Sequence, residues 1–159
     1  MARKSTKYIV IHCSQTRPSQ NIGAYEINRW HLERGWLKIG YHKVIKRDGT
    51  IEDGREIDAL GAHVKEYNHN SIGVCLVGGA DENDWKKPSD NFTGEEWESL
   101  KKLLEELVLK YPEAKIVGTP SFFNSLRYLG QISYLINTAI SGCANFINCF
   151  AFFMLSNGR

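Results

Sequence analysis

The sequence predicts one α/β domain with a mixed central β-sheet and helices packed around it. Two apolar runs, Tyr8 to Ile11 and Ser71 to Val77, are typical of strands that are buried on both faces. The clearest helical pattern begins after Thr93. Because strand and helix patterns alternate along the chain, the predicted class is α/β.

The first half of the chain contains one helix and one hairpin between these two strands. A loop over 17–21 precedes a predicted helix over 22–34, with Ile27 and Trp30 on its buried face and Gly35 as its stop. Trp36 is expected in the core. The dipeptide Asp48-Gly49 joins two β-rich segments, 41–46 and 50–52, and predicts a tight hairpin. Residues 53–70 are irregular, and a loop of this length in a compact domain is usually functional.

The second half contains one long helix and one short strand. Thr93 and Glu96 have the spacing of a capping box at the start of this helix, and Pro112 ends it. Between them, apolar residues recur every three or four positions and form one stripe, made of Trp97, Leu100, Leu104, Leu107, Val108 and Tyr111. Residues 115–118 follow as a short strand.

Composition is that of a soluble globular protein. The 159 residues are 42% hydrophobic and 24% charged, and the net charge of +2 gives no case for a nucleic-acid partner. The four cysteines form no CxxC pair, so neither a zinc ribbon nor a dithiol redox motif is indicated. The amino-terminal residues lack the apolar segment of a secretory signal, so we expect a cytoplasmic location.

Composition changes abruptly near residue 119. All 18 acidic residues lie at or before Glu113, whereas residues 119–159 carry only Arg127 and Arg159. We therefore divide the chain into a domain over 1–118 and an atypical apolar tail over 119–159. A shifted reading frame or read-through near codon 119 would explain the change.

The uncharged segment 132–155 has two interpretations. It is long enough to cross a bilayer, which takes about 20 apolar residues. Three asparagines lie within it, Asn137, Asn145 and Asn148, and buried amides are costly in lipid. The sequence allows either a membrane helix or a non-native tail, and the three asparagines favour the non-native tail.

His12 is the first candidate for chemistry. It ends the first buried strand, and α/β proteins place their functional groups at that rim of the sheet. Taken alone, it is better explained as a core histidine with one satisfied hydrogen bond, since a lone histidine binds metal only together with other ligands. Tyr41 begins the hairpin. Taken alone, it is explained as a strand tyrosine that packs at the edge of the sheet.

Several blocks together resemble one enzyme family. These are His12-Cys13-Ser14, Gly40-Tyr41-His42, the segment 45–50 (Ile-Lys-Arg-Asp-Gly-Thr) and the segment 67–79, which begins Tyr-Asn-His-Asn-Ser and ends in two glycines. In this order they resemble the zinc-dependent N-acetylmuramoyl-L-alanine amidases of peptidoglycan, which include phage endolysins. The resemblance covers residues 1–118 and implies a peptidoglycan-recognition-type fold with a zinc ion in a groove.

The resemblance also implies roles for individual residues. His12 has the position of a zinc ligand and Tyr41 that of a catalytic tyrosine. The loop before the second buried strand lines the substrate groove in the family, which points to His63, His69 and Asn70 as substrate-binding residues. Zinc held by three protein ligands lowers the pKa of its bound water to about 7, and a phenol can stabilise the developing oxyanion.

The chain departs from the family pattern at its carboxyl end. The other two zinc ligands of the family, a histidine and a cysteine, and its catalytic lysine belong to segments that this sequence lacks. Thr119 has the place of the histidine, no histidine follows His69, and no lysine follows Lys115. Cys13 is expected on the opposite strand face from His12. His42, His63 and His69 are the histidines that we consider as substitutes.

Two functions follow from the resemblance. The first is a phage endolysin, a monomer that hydrolyses the bond between N-acetylmuramic acid and L-alanine after the host membrane is permeabilised. The alternative is a catalytically impaired binding protein that inhibits the phage RNA polymerase, a second role of some phage members. The first would use zinc and bacterial peptidoglycan, and the second needs neither.

Overall fold

The computed structural model describes residues 2–125 and confirms the predicted mixed sheet with flanking helices. Its five strands are β1 (Tyr8–Cys13), β2 (Lys43–Ile45), β3 (Ile51–Asp53), β4 (Ser71–Leu76) and β5 (Lys115–Gly118). Their spatial order is β3-β2-β4-β1-β5. Only β2 and β3 pair antiparallel, and the other three pairs are parallel.

The central strands are β1 and β4, the two apolar runs of the sequence. Their register pairs Tyr8 with Ser71 and His12 with Cys75. Every residue of β4 is buried, as expected for a strand that is covered on both faces. The parallel register brings the carboxyl ends of β1 and β4 to the same edge of the sheet.

Within residues 2–125, three helices accompany the sheet: α1 (Ala24–Glu33), α2 (Gly94–Lys110) and α3 (Pro120–Ser125). One core lies between the sheet and α2, whose buried residues include Leu100, Leu103, Leu104, Leu107 and Val108. A smaller core on the other face contains Ile27 of α1 together with Val44 and Cys75. Cys75 of β4 and its register partner His12 of β1 therefore lie on the face of the sheet toward α1.

The helix ends follow their sequence signals. The Thr93 hydroxyl accepts a hydrogen bond from the Glu96 N–H at 3.1 Å, and the Glu96 carboxylate accepts one from the Thr93 N–H at 2.9 Å. This is the predicted capping box. Gly35 follows α1 with a φ of +82°, the left-handed conformation that favours glycine at a helix end.

Two expectations differ from the structure in detail. The hairpin strands are shorter than predicted, so Tyr41 and His42 precede β2 rather than lying within it. Trp36 is 39% exposed, because it follows α1 on the surface and stacks on His31 at a ring separation of 4.4 Å.

The segment that follows β5 still packs against the core. Phe122 of α3 is fully buried in the core beneath α2, and its ring contacts those of Phe92 and Trp97. Within residues 2–125, no helix has both the length and the hydropathy needed to cross a bilayer. The predicted apolar segment 132–155 lies outside the described residues.

Candidate active site

His12 lies at the carboxyl end of the central strand β1, with only 5% of its surface exposed. Strand alternation turns its side chain away from the core beneath α2, which takes Ile11 and Cys13. Burial lowers the pKa of His12 to about 3, so its imidazole is neutral near pH 7. A neutral imidazole offers a lone pair, which is the form that ligates a metal.

His63 is the predicted substrate-binding residue that the fold brings against His12. Its Nδ1 lies 2.9 Å from the Nε2 of His12, and the two rings meet edge to face. The Nε2 of His63 lies 3.3 Å from the hydroxyl of Ser71. Burial and the neighbouring His12 lower the pKa of His63 well below its usual value. His63 therefore joins β4 to the end of β1 through two hydrogen bonds.

Tyr41 completes the group of rings around His12. Its ring lies 5.1 Å from that of His12 and 6.4 Å from that of His63. Burial raises the pKa of Tyr41 well above its usual value, and a hydrogen bond to the Cys75 thiol raises it further. The phenol is therefore uncharged and can act as a hydrogen-bond donor, the property needed to stabilise an oxyanion.

His42 is fully buried and both its ring nitrogens are engaged by the backbone. Nδ1 accepts a hydrogen bond from the Gly73 N–H at 2.9 Å, so Nε2 carries the proton and donates to the Ala59 carbonyl at 3.0 Å. Burial lowers its pKa to about 4. These bonds hold the segment before β2 against β4, and they leave His42 without a lone pair for a metal.

His69 and Asn70 lie away from His12. They immediately precede Ser71, which pairs with Tyr8 at the amino end of β1. Cys75, the partner of His12, lies four positions after Ser71, which corresponds to roughly 13 Å along the strand. His69 is exposed and Asn70 is buried, with its carbonyl accepting from the N–H of Tyr8. Their role in substrate binding stays a prediction.

Thr119 continues β5 beside His12. Gly118 is the last residue of β5 to pair with β1, opposite Ile11, and the Thr119 N–H donates to the Ile11 carbonyl at 3.0 Å. Its hydroxyl lies 3.2 Å from that of Ser121. The place that a histidine ligand has in the family therefore carries a neutral hydroxyl, which is not among the usual zinc ligands.

The residues that the structure describes do not by themselves supply the ligands of a catalytic zinc ion. Within residues 2–125, no group of three or more His, Cys, Asp or Glu side chains is placed to hold a metal. A catalytic zinc site takes three protein ligands, and His12 is the single candidate at this site. Residues 126–159 contain no histidine, aspartate or glutamate, so Cys143 and Cys149 are the remaining donors in the sequence.

Sequence reasoning missed the residues that hold His63 in place. Ser71 supplies the hydroxyl, whereas Gly61 and Gly73 supply space for the ring. A Cβ at Gly73 would lie 2.5 Å from Cγ of His63, and one at Gly61 would also collide with that ring. An isolated glycine within a strand signals a close approach, and Gly73 carried that signal.

Comparison with known proteins agrees with this architecture. Residues 2–127 match the family described as N-acetylmuramoyl-L-alanine amidase (Amidase_2). The chain is 57% identical to the endolysin of Escherichia phage T7 over 112 residues, which are 70% of this chain and 73% of that protein. It is also 57% identical to the endolysin of Enterobacteria phage T3 over 109 residues, 69% of this chain and 71% of that protein.

Solved structures show the same fold. The amidase LysC of Clostridium intestinale has a TM-score of 0.60 at 29% identity, covering 72% of this chain and 70% of its own. A mutant of Drosophila PGRP-LB in complex with tracheal cytotoxin has a TM-score of 0.62 at 26% identity, covering 74% and 72%. Together with the position of His12 and Tyr41, these matches show that the chain belongs to the N-acetylmuramoyl-L-alanine amidase family.

Proposed function

We propose that this protein is a phage endolysin that acts on bacterial peptidoglycan at the amide bond between N-acetylmuramic acid and L-alanine. The observation that carries the proposal is the contact of Tyr41 with His12, at 5.1 Å between ring centres, at the carboxyl end of the central strand. The relatives named endolysin support this assignment, and so does the peptidoglycan-recognition protein LB of Drosophila. The proposed site of action is the cell wall, reached from the host cytoplasm once the membrane is permeabilised.

In this proposal, the residues that the structure describes bind the substrate and donate a hydrogen bond to its scissile amide. Tyr41 is uncharged, so its hydroxyl can donate to the carbonyl oxygen of the scissile amide as negative charge develops there. For that role it would exchange its hydrogen bond to Cys75 for one to the substrate. His12 presents a neutral ring at the same edge of the sheet. Zinc is the family's cofactor, and its fit here requires donors beyond residue 125.

A cleavage assay on the full chain tests the proposal. Purified peptidoglycan is incubated with protein that has been reconstituted with zinc, and new α-amino groups of L-alanine are counted together with zinc per chain. We expect new amino groups with the wild-type chain. We expect at least a 100-fold lower rate for Tyr41→Phe, the loss typical of removing one oxyanion donor. Tyr25→Phe, at an exposed tyrosine of α1, is the matched control and should keep the wild-type rate.

Three outcomes would contradict the hydrolase proposal or the roles assigned in it. Absence of new amino groups from a folded, zinc-treated chain would leave a protein that does not cut this bond. Equal rates for the wild-type chain and Tyr41→Phe would remove Tyr41 from the chemistry. A His12→Ala variant that keeps the wild-type zinc content would show that His12 is not a ligand.

A second candidate function is inhibition of phage RNA polymerase. The 57% identity to the T7 endolysin covers 112 residues and does not depend on the missing carboxyl-terminal motif. Binding would therefore persist in a chain that lacks zinc. Transcription by the RNA polymerase of phage T7 is measured with and without the full chain. Inhibition that survives in His12→Ala supports the role, and unchanged transcription at a tenfold molar excess of the chain contradicts it.

A further inference from the structure

We propose that Trp85 and Lys86 form a platform on which a sugar ring of the glycan strand stacks, at the same edge of the sheet as His12. The inference rests on the proposed function and extends it, because it names the part of peptidoglycan that this surface binds. Three features carry it: the exposure of the Trp85 ring, the fixed shape of the loop 80–88 that presents it, and the position of that loop in the fold.

The Trp85 ring is exposed to solvent and has a cation beside one of its faces. The residue is 57% exposed, and the ammonium group of Lys86 lies 5.7 Å from the centre of a ring of its indole. This cation–π contact uses one face of the indole and leaves the other for a ligand. An exposed indole offers a large apolar area, and covering that area with a ligand is favourable.

The loop 80–88 holds Trp85 in a tight turn. The Lys87 N–H donates to the Asp84 carbonyl at 2.9 Å, which closes a four-residue turn around Trp85. At the base of the loop, the Asp81 N–H donates to the Lys87 carbonyl at 2.9 Å, and the Asp81 carboxylate accepts from the Asp84 N–H at 3.2 Å. A ring on a fixed turn loses little conformational freedom on binding, so more of the binding free energy is retained.

The loop lies at the edge of the sheet that carries His12. The chain that follows His12 runs beside the chain that follows β4, because the Ala80 N–H donates to the Thr16 carbonyl at 3.2 Å. Farther along, the Ser19 N–H donates to the Glu82 carboxylate at 3.1 Å. The loop 80–88 is therefore joined to the segment after β1. A glycan strand extends well beyond the scissile amide, so a strand bound at His12 can also reach the platform.

The groups around the ring favour a neutral ligand rich in hydroxyl groups. Residues 80–88 carry three acidic side chains and two lysines, a net charge of −1, which does not attract polyanions. Exposed polar groups of Asn83, Asp84 and Lys86 flank Trp85 and can exchange hydrogen bonds with hydroxyl and N-acetyl groups. The negative face of the indole attracts the weakly positive C–H groups of a sugar ring. An apolar face with a polar rim therefore fits an N-acetylated sugar.

An NMR titration of the full chain with a tetramer of β-1,4-linked N-acetylglucosamine tests the inference. This sugar contains no muramoyl–alanine bond, so its binding depends on neither cleavage nor zinc. The sequence has four tryptophans, each with one indole N–H, and the Trp85 signal is identified by its loss in Trp85→Phe. We expect a saturable shift of the Trp85 signal and no shift of the Trp97 signal, since Trp97 packs against the core beneath α2.

Matched variants separate stacking from other contacts. We follow the affinity for the tetramer at the backbone N–H of Asn83. It should fall about tenfold in Trp85→Ala and less in Trp85→Phe, which keeps a smaller aromatic face. Leu109→Ala removes an apolar side chain of α2 that is 77% exposed, and it should leave the affinity unchanged. Wild-type affinity in Trp85→Ala would overturn the inference, and so would a Trp85 signal that stays unmoved up to the solubility limit of the sugar.

A protein is the other partner that an exposed tryptophan can bind, and the transcription assay distinguishes it. Weaker inhibition of phage RNA polymerase by Trp85→Ala, together with no sugar binding by the wild-type chain, would assign the platform to a protein and overturn the inference. Absence of peptidoglycan cleavage would leave the sugar titration as it is. The glycan platform and the proposed hydrolase activity are therefore tested separately.

Discussion

Replacing Glu96 by glutamine should remove a loss of stability that the wild-type protein undergoes as the pH rises from 4.5 to 8. Glu96 is fully buried at the start of α2, where its carboxylate accepts from the Thr93 N–H and lies 4.0 Å from the guanidinium of Arg47. Its second oxygen, Oε1, has no hydrogen-bond partner among the described residues. Burial is the largest influence on this carboxyl and raises its pKa from 4.5 to about 7, despite the nearby arginine.

The sign and size of the effect follow from this pKa. Because the pKa is higher in the folded state, the folded chain holds this proton more tightly than the unfolded chain. The stability from the protonated form is complete below pH 4.5 and is lost as the pH rises through 7. The difference between 7 and 4.5 is 2.5 pKa units, and at about 1.4 kcal/mol per unit the loss is about 3 kcal/mol.

Urea unfolding at several pH values between 4.5 and 8 measures this difference. Glutamine keeps the capping interaction with Thr93 and carries no charge, so the free energy of unfolding of Glu96→Gln should lack this decline. The gap between variant and wild type should widen by about 3 kcal/mol from pH 4.5 to pH 8. Glu95→Gln, at the exposed neighbouring position, is the control and should follow the wild type. Parallel curves for Glu96→Gln and the wild type would refute the reasoning.

Three further substitutions test the packing around the site. Phe122→Ala removes a fully buried ring and should lower the free energy of unfolding by about 3 to 5 kcal/mol in urea titrations; a loss below about 1 kcal/mol would show that α3 does not close the core. Gly73→Ala should cost about 1 to 3 kcal/mol by displacing the His63 ring, and unchanged NMR signals of that ring would contradict this. Asn68→Ala should speed proteolytic cleavage within the loop 61–70, since two backbone N–H groups lose their acceptor; an unchanged cleavage rate would show that Asn68 does not hold the loop.

The position of His12 could be predicted from local sequence, whereas its environment could not. An apolar run that ends in a histidine identifies a buried strand and its rim, and the structure confirms the mixed sheet around it. The contact with His63 joins residues 51 positions apart. It depends on the register that places Gly73 beside β1, and no local pattern encodes that register.

The loop before β4 shows why neighbours in sequence need not share a site. His63, His69 and Asn70 lie within eight residues, which suggested one groove-lining group. The loop turns at 67–70, so that Ser71 begins β4 at the amino end of the parallel strands while the His63 ring reaches toward their carboxyl end. Strand direction separates these residues, and it becomes known only once the pairing is known.

The packed core includes a residue beyond the composition change at residue 119, and the division of the chain at 118 stays a prediction. The loss of charged residues after position 118 led us to assign Phe122 to an apolar tail. In the structure this side chain is fully buried with Phe92 and Trp97. A hydrophobic residue can complete a core without any motif, since burial depends on volume and polarity alone.

Mass spectrometry of peptidoglycan treated with the full chain tests the central claim most directly. We expect free peptide stems that begin with L-alanine, together with glycan strands whose muramic acid has lost its peptide. We also expect Tyr41→Phe to release these products at least 100-fold more slowly. Peptidoglycan that keeps every muramoyl–alanine bond after treatment with the folded, zinc-treated chain would contradict the claim.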